Sequence, residues 1–468
     1  LLGLWLVPIP LVQTLGLAAA IGVAVMIVAS MTLLPALLGF AGNKIDRIRL
    51  PFGSHDGPVD PATSFWGRFA RTMARRPWFT MIGGLVVLLA LASPFLKIQF
   101  GMPDDSSLPS GLTQRTAFEQ MQDGFGPGVN GPLLVVVGLP TSNPQSYQQV
   151  LPKLDAVSKV VGALQPANTV DNVQYALGPI PNDANATTAV IYQVTPESSP
   201  DDVATKDLVE QLRSDLDRAV AGTDLTVHVG GSTATLIDMT DLVQRYLPIV
   251  IGAVVLGAFL LLVLVFRSIL VPLKAAVMNL ISIAAAYGVV VAVFQWGWAK
   301  GAVGLDSTIP IVSFVPLVMF VILFGLSMDY EVFLMSRIRE EWDRTEEPRT
   351  SVILGVANTA RVITTAALIM IAVFASFVTN ANPTVKLIGF GMAVAVLIDS
   401  TIVRMILVPA VMELLGKAAW WFPRWLEWLP ELNVEGPPEQ EVATAGSDDG
   451  PPPDSTDGDR EPVGAGVS

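Results

Sequence analysis

Apolar runs long enough to cross a ~30 Å hydrocarbon core recur at residues 14–40, 78–98, 247–266, 270–294, 309–335, 354–379 and 385–414. Residues 1–10, interrupted by Pro8 and Pro10, read as the end of one more span, which makes seven and a half crossings. The chain opens Leu1-Leu2-Gly3 inside apolar sequence, with no methionine or basic segment of the signal-peptide kind, and is read as lacking an N-terminal part. Between the spans at 78–98 and 247–266 the pattern changes to that of an α/β domain. "PLLVVVGL" from Pro132, residues 168–176, residues 186–195 and "LTVHV" from Leu225 alternate as strands, while 145–163 and 200–220 carry helical periodicity. That order, βαββαβ, is the split ferredoxin-like unit. The glycines of "DGFGPGVNGP" (123–132) are expected to form a flexible approach to its first strand.

Composition agrees with membrane residence: of 468 residues 51% are hydrophobic and 15% charged, and the mean hydropathy is +0.55. There is no cysteine and only His55 and His228, so disulfides and thiolate metal sites are excluded and metal or triad chemistry has little to work with. No Gly-x-Ser-x-Gly elbow, Walker loop or paired catalytic carboxylates occur in the α/β region, so neither an enzyme nor a cofactor is expected. Asn185-Ala186-Thr187 fits a glycosylation sequon and is read as accidental.

Basic residues set the orientation. Lys44, Arg47, Arg49, Arg68, Arg71, Arg75 and Arg76 crowd the 43–77 connection, and Arg267 with Lys274, and Arg337 with Arg339, follow later spans. These belong on the cytoplasmic side, which places the region 99–245 outside the cell. That region has a net charge of −10 and the tail from 417 a net of −8, within a chain total of −13, a balance that argues against a nucleic-acid partner. Residues 417–436, with "AAWWFPRWLEW", read as an interfacial helix. Residues 437–468, rich in Pro, Gly and acidic side chains, read as a disordered cytoplasmic tail.

A repeat is also visible. The first full span ends "LLPALLGFAG" and the last "LVPAVMELLG", each with a proline seven residues before a glycine, Pro35 before Gly42 and Pro409 before Gly416. Parallel repeats of this kind point to a transporter with two pseudo-equivalent halves. The segments are then 1–42, the end of a first repeat; 43–77, a linker; 78–98, a span; 99–245, the external domain; and 246–416, a five-span bundle.

"GLSMDYEVFLMSRIREEW", "ARVITTAALIM" from Ala360 and "GFGMAVAVLIDSTIVRMILVPAVMELLG" from Gly389 resemble the second-half signatures of the mycobacterial membrane protein large (MMPL) family, within the resistance-nodulation-division superfamily of proton-driven exporters. The resemblance covers residues 1 to about 416 and not the tail. It implies twelve spans, two porter domains and lipid-like substrates in a plasma membrane, with protons passing through buried residues of the fourth and tenth spans. By that pattern 309–335 is the tenth span, and the first porter domain and first four spans are absent here. The partners implied are a lipid or other hydrophobic substrate, protons and the missing N-terminal half, with homo-oligomerisation left open. A protein-export auxiliary and a non-transporting receptor or scaffold remain alternatives.

Asp329 lies eight residues before Arg337, about 12 Å deeper at ~1.5 Å per residue, too deep to snorkel, so it is expected to be buried in protein and poised to titrate. Gly325, one turn earlier, would let another helix approach, and Tyr330 offers a hydroxyl to a neighbouring carboxylate. The resemblance implies that Asp329 and Tyr330 face a second Asp-Tyr pair on the absent fourth span. The plain alternative is an aspartate that merely ends a helix at the interface. Asp399 and Arg404 stand about 140° apart on an α-helix, so each is expected to look to other helices or to water rather than to its neighbour. The resemblance marks both as needed for transport. Glu331 reads equally as an exit-side proton acceptor or a solvated side chain, Arg361 as a headgroup-level cation, and Thr364 and Thr365 as bonded to their own helix.

Overall fold

The computed structural model describes residues 2–42, 64–101, 104–140, 145–162, 172–426 and 428. Seven of its helices are long and apolar enough to cross a membrane. Residues 2–6 form a 3-10 turn rather than the end of a span. Pro10 then starts α1 (Pro10–Ala41), which packs Val12 into the core and from Leu17 onward is apolar and largely exposed, with Met26, Met31 and Phe40 among its exposed side chains. The linker from 43 to 63 lies outside the described residues, and the remainder forms α2 (Phe65–Arg75), capped by the Ser64 hydroxyl.

α3 (Pro77–Ala92) leads to β1 (Phe100–Gly101), and α4 (Thr113–Phe125) precedes the α/β domain. That domain runs through β2 (Leu133–Gly138), α5 (Tyr147–Val150), α6 (Asp155–Val160), β3 (Val173–Pro181), β4 (Ala189–Pro196), α7 (Val203–Val220) and β5 (Thr226–Gly230). The strands stack in the order β3-β4-β2-β5, antiparallel throughout, which is the ferredoxin-like arrangement. Strict alternation buries Leu133, Val135 and Val137 of β2 against Leu208, Leu212 and Leu216 of α7. Tyr192 in this core meets the Ser158 hydroxyl at 2.7 Å. The glycine-rich approach is a packed turn and not a flexible one: a Cβ on Gly128 would stand 1.9 Å from the Pro196 carbonyl. His228 is exposed on β5, opposite Val136.

α8 (Ser232–Phe266) starts at the sheet and continues as one helix into the bundle. At ~1.5 Å per residue its 35 residues span about 52 Å, well beyond a hydrocarbon core. α9 (Leu270–Val290) returns. The next span does not begin at 309, because Ile311–Val312 form β6, paired in parallel with β1. Helix starts only at α10 (Val315–Thr345), where Pro316 occupies the first turn. Thr240 and Ser313 hydroxyls, 2.6 Å apart, tie α8 to this junction.

α11 (Pro348–Ser376) and α12 (Pro383–Ile398) follow, and α12 passes through a π-helical segment, Asp399–Leu407, into α13 (Val408–Leu415). Close packing sets the bundle: a Cβ on Gly288 of α9 would lie 1.9 Å from the Leu91 carbonyl of α3. The expected interfacial helix is not continuous. Its described part holds a 3-10 turn at Gly416–Trp420 and another at Arg424–Leu426, with Pro423 removing a backbone donor between them. Residues 429–468 lie outside the described residues.

Candidate functional site

α9, α10 and the last span bring four charged side chains together inside the bundle. Arg404 is 0% exposed, Glu331 2%, Lys274 8% and Asp399 9%. Arg404 donates from Nε to Asp399 Oδ2 at 3.1 Å and from Nη1 to Glu331 Oε2 at 3.2 Å. Its Nη2 donates to the Ser327 hydroxyl at 2.8 Å and to the Ser327 carbonyl. Lys274 Nζ sits 3.0 Å from Glu331 Oε1. Two cations and two anions leave the group neutral. Each ion costs several kcal/mol to desolvate, a penalty that only this mutual pairing offsets.

Sequence spacing explains why α10 delivers its share. Ser327, Glu331, Leu334, Met335 and Ile338 follow the three-and-four rhythm of one helical face and are all buried. The Asp399–Arg404 contact departs from the expectation of separate faces. It forms because the segment between them is π-helical, and i→i+5 hydrogen bonding, such as Val408 N–H to Val403 O, stacks residues five apart.

Ser327 is the hinge of the hydrogen bonding. Its one hydroxyl proton has two acceptors within reach, Asn279 Oδ1 at 2.6 Å and Asp399 Oδ1 at 3.0 Å. Asn279 is 2% exposed, and its Nδ2 has no partner among the described residues. It lines a cavity of about 20 Å³ shared with Ser282, Tyr330, Asp399 and Ser400, room for about one water molecule.

The residues singled out from sequence divide between two places. Asp399 and Arg404 lie in the cluster, and Tyr330 adjoins it, half-buried, with its ring centroid 5.7 Å from the Arg404 guanidinium carbon. The Tyr330 hydroxyl meets Met370 Sδ of α11 at 3.4 Å rather than a carboxylate. Asp329 is exposed and not buried as expected. Gly325 shares its strip of α10, where an added Cβ would meet nothing within 4 Å, so none of the described residues supplies the close helix approach expected there. Thr364 bonds the Ala360 carbonyl of its own helix.

The sequence does not single out Lys274, Ser327 and Asn279 as site residues. Glu331, which the sequence leaves open between an exit-side acceptor and a solvated side chain, is buried, and so is Lys274, which reads from sequence as a cytoplasmic loop cation. The available signal was position. Lys274 and Asn279 both fall inside an apolar run, and Glu331 follows Ser327 by one turn.

The MMPL family model matches residues 1–80 and 108–431. Over 448 residues the chain is 37% identical to the mycolic acid-containing lipids exporter MmpL11 of Mycolicibacterium smegmatis, an alignment covering 94% of this chain and 45% of that protein. It is 37% identical over 445 residues to the heme uptake protein MmpL11 of Mycobacterium tuberculosis, covering 93% and 44%. It is 28% identical over 452 residues to the trehalose monomycolate exporter MmpL3 of the same species, covering 91% and 47%. The chain therefore spans about half the length of the relatives it matches.

Proposed function

The chain belongs to the MMPL family of multi-pass membrane transporters, and on that premise we propose that it works as the C-terminal part of an exporter of lipids or other hydrophobic molecules driven by the proton-motive force. The observation that carries this reading is the neutral four-charge cluster around Arg404, buried between helices long and apolar enough to cross a membrane and one helical face away from the exposed Asp329 strip. Ionisable groups at such depth are costly to maintain and mark ion pathways. Two relatives named as lipid exporters support the substrate class, and one named for heme uptake keeps a flat hydrophobic cargo as the second reading.

In this mechanism a preceding half packs on the exposed Gly325–Asp329 strip and presents a hydrogen-bonding partner to Asp329. The α/β domain faces outward in the plasma membrane and the tail faces the cytoplasm. A proton reaching Asp399 frees the Ser327 hydroxyl to donate to Asn279 alone and weakens the hold of Asp399 on Arg404. Glu331, still paired with Lys274, then takes the larger share of the guanidinium. Each proton crossing supplies ~2.3 kcal/mol per 100 mV, delivered as this shift between α10 and the last span.

The test is transport in vesicles by this chain joined to, or coexpressed with, a preceding half of the family. Proton-dependent export of a fluorescent lipid should require both pieces and vanish with Asp329→Asn. Undiminished export by that variant would end the relay reading.

A further inference from the structure

We propose that the bundle end remote from the α/β domain holds a binding site for an anionic phospholipid. A cavity of about 350 Å³ opens there between α3, α9 and the last span, walled by Met81, Leu85, Leu273, Val277, Leu407 and Leu415. Its volume lies within the ~300–1,000 Å³ of ordinary ligand pockets. Leu273 and Val277 are about half exposed, so it opens sideways into the apolar phase surrounding the spans, where an acyl chain is the occupant at hand.

Charge selects the headgroup. The three wall elements each begin or end beside a cation: Arg76 immediately precedes α3, Arg267 comes three residues before α9, and Lys417 follows Leu415 by two. Arg75, Arg76 and Lys417 are exposed, and Arg267 is held over the Phe422 ring at 5.5 Å. Cations at the ends of the three elements that wall an apolar slot match a phosphate carried on an acyl chain, which sets an apolar tail beside an anionic head.

The inner wall is where this site touches the charge cluster. The Lys274 side chain lines the cavity while its ammonium reaches Glu331 at 3.0 Å. An acyl chain in the slot packs on the Lys274 stem and holds the ammonium in its buried seat. This last step rests on the relay reading above; the lipid site itself does not.

The experiment uses the whole chain in vesicles of phosphatidylcholine and phosphatidylglycerol, with a diazirine on the acyl chain of one lipid or the other, and maps adducts by peptide mass spectrometry. Expected are adducts on the peptides carrying Leu273, Val277 and Leu415, at least threefold stronger with the phosphatidylglycerol probe than with the phosphatidylcholine probe. Val277→Trp should remove them by filling the slot. Arg76→Glu combined with Lys417→Glu should bring the two probes to parity while the apolar slot stays labelled. Equal labelling by both probes in the unmodified chain would overturn the proposal, as would labelling no stronger than that of Met26 and Met31 on α1. Protection of the slot, with Leu273→Cys crosslinking to a second copy or another protein, would overturn it too. None of these readouts depends on export, so failure here and failure of the transport reading are separable.

Discussion

Arg404 and Asp399 are five residues apart on one helix and yet ion-paired at 3.1 Å, because the helix between them widens to π geometry. The same guanidinium spends its other nitrogens on Glu331 and Ser327, a three-way contact that a lysine ammonium cannot reproduce with its single donor centre. Arg404→Met should destabilise the fold by about 3–5 kcal/mol, the usual result of leaving buried charge unpaired. Arg404→Lys should fold and lose transport. Thermal unfolding in detergent and vesicle transport separate the two effects, and a fully active Arg404→Lys would show that the fork geometry is unnecessary.

Lys274 and Glu331 form the second half of the cluster, buried and 3.0 Å apart. Lys274→Met alone leaves Glu331 with only Arg404 as counter-charge and should lower stability by about 3 kcal/mol or more. The double variant Lys274→Met, Glu331→Gln removes both charges and should recover most of that loss. Additive losses in the double-mutant cycle would mean that the two side chains do not sense each other.

The spans and the βαββαβ order were legible because each rests on a local rhythm, long apolar runs in one case and period-two alternation in Leu133, Val135 and Val137 in the other. The cluster was only half legible. Asp399 and Arg404 stand out as charges within apolar sequence, but their contact depends on a π segment with no distinct spacing signal. Lys274 and Glu331 lie close to the ends of the apolar runs 270–294 and 309–335, where charges are ordinarily solvated, and only tertiary packing decides that these two are not. The two-residue strands β1 and β6 are too short to leave a pattern, and their pairing at Phe100–Ile311 joins segments about two hundred positions apart. Depth alone suggests a buried Asp329, whereas its exposure depends on which helix faces the described residues cover.

In the loop before α7, Asp201 keeps an exposed side chain, yet its partial desolvation and then the neighbouring Asp104 carboxylate raise its pKa above the ordinary carboxylate value. The folded chain therefore holds this proton more tightly than the unfolded chain. Its contribution to stability is greatest at low pH and is lost as pH rises from the ordinary carboxylate range through the raised value. Asp201→Asn should raise the melting temperature at pH 7 and have little effect at pH 3. A melting curve unchanged at both pH values would mean that Asp201 titrates normally.

Asp329 differs from the cluster in a way that stability measurements can detect. It is exposed, and Gly325 one turn before it has no neighbour within reach of an added Cβ. Asp329 makes no hydrogen bond or ion pair among the described residues and feels Arg404 only at a distance, so Asp329→Asn should change stability by no more than about 0.5 kcal/mol, while Gly325→Leu puts a good helix former into open space in mid-helix and should stabilise by about 0.5–1 kcal/mol. Glu331→Gln, two positions beyond Asp329 and buried against two cations, should cost several times as much as Asp329→Asn. Function should order these variants differently. If a preceding half docks on this strip, Gly325→Leu blocks the close approach, and Asp329→Asn fixes the neutral form so that it cannot cycle. Both should then lose proton-dependent export with no fall in melting temperature. The decisive comparison is association: a preceding half copurifying with the unmodified chain and with Asp329→Asn, but not with Gly325→Leu, places the interface on this face. Equal copurification with Gly325→Leu would put the interface elsewhere and leave Asp329 without the partner its exposure requires.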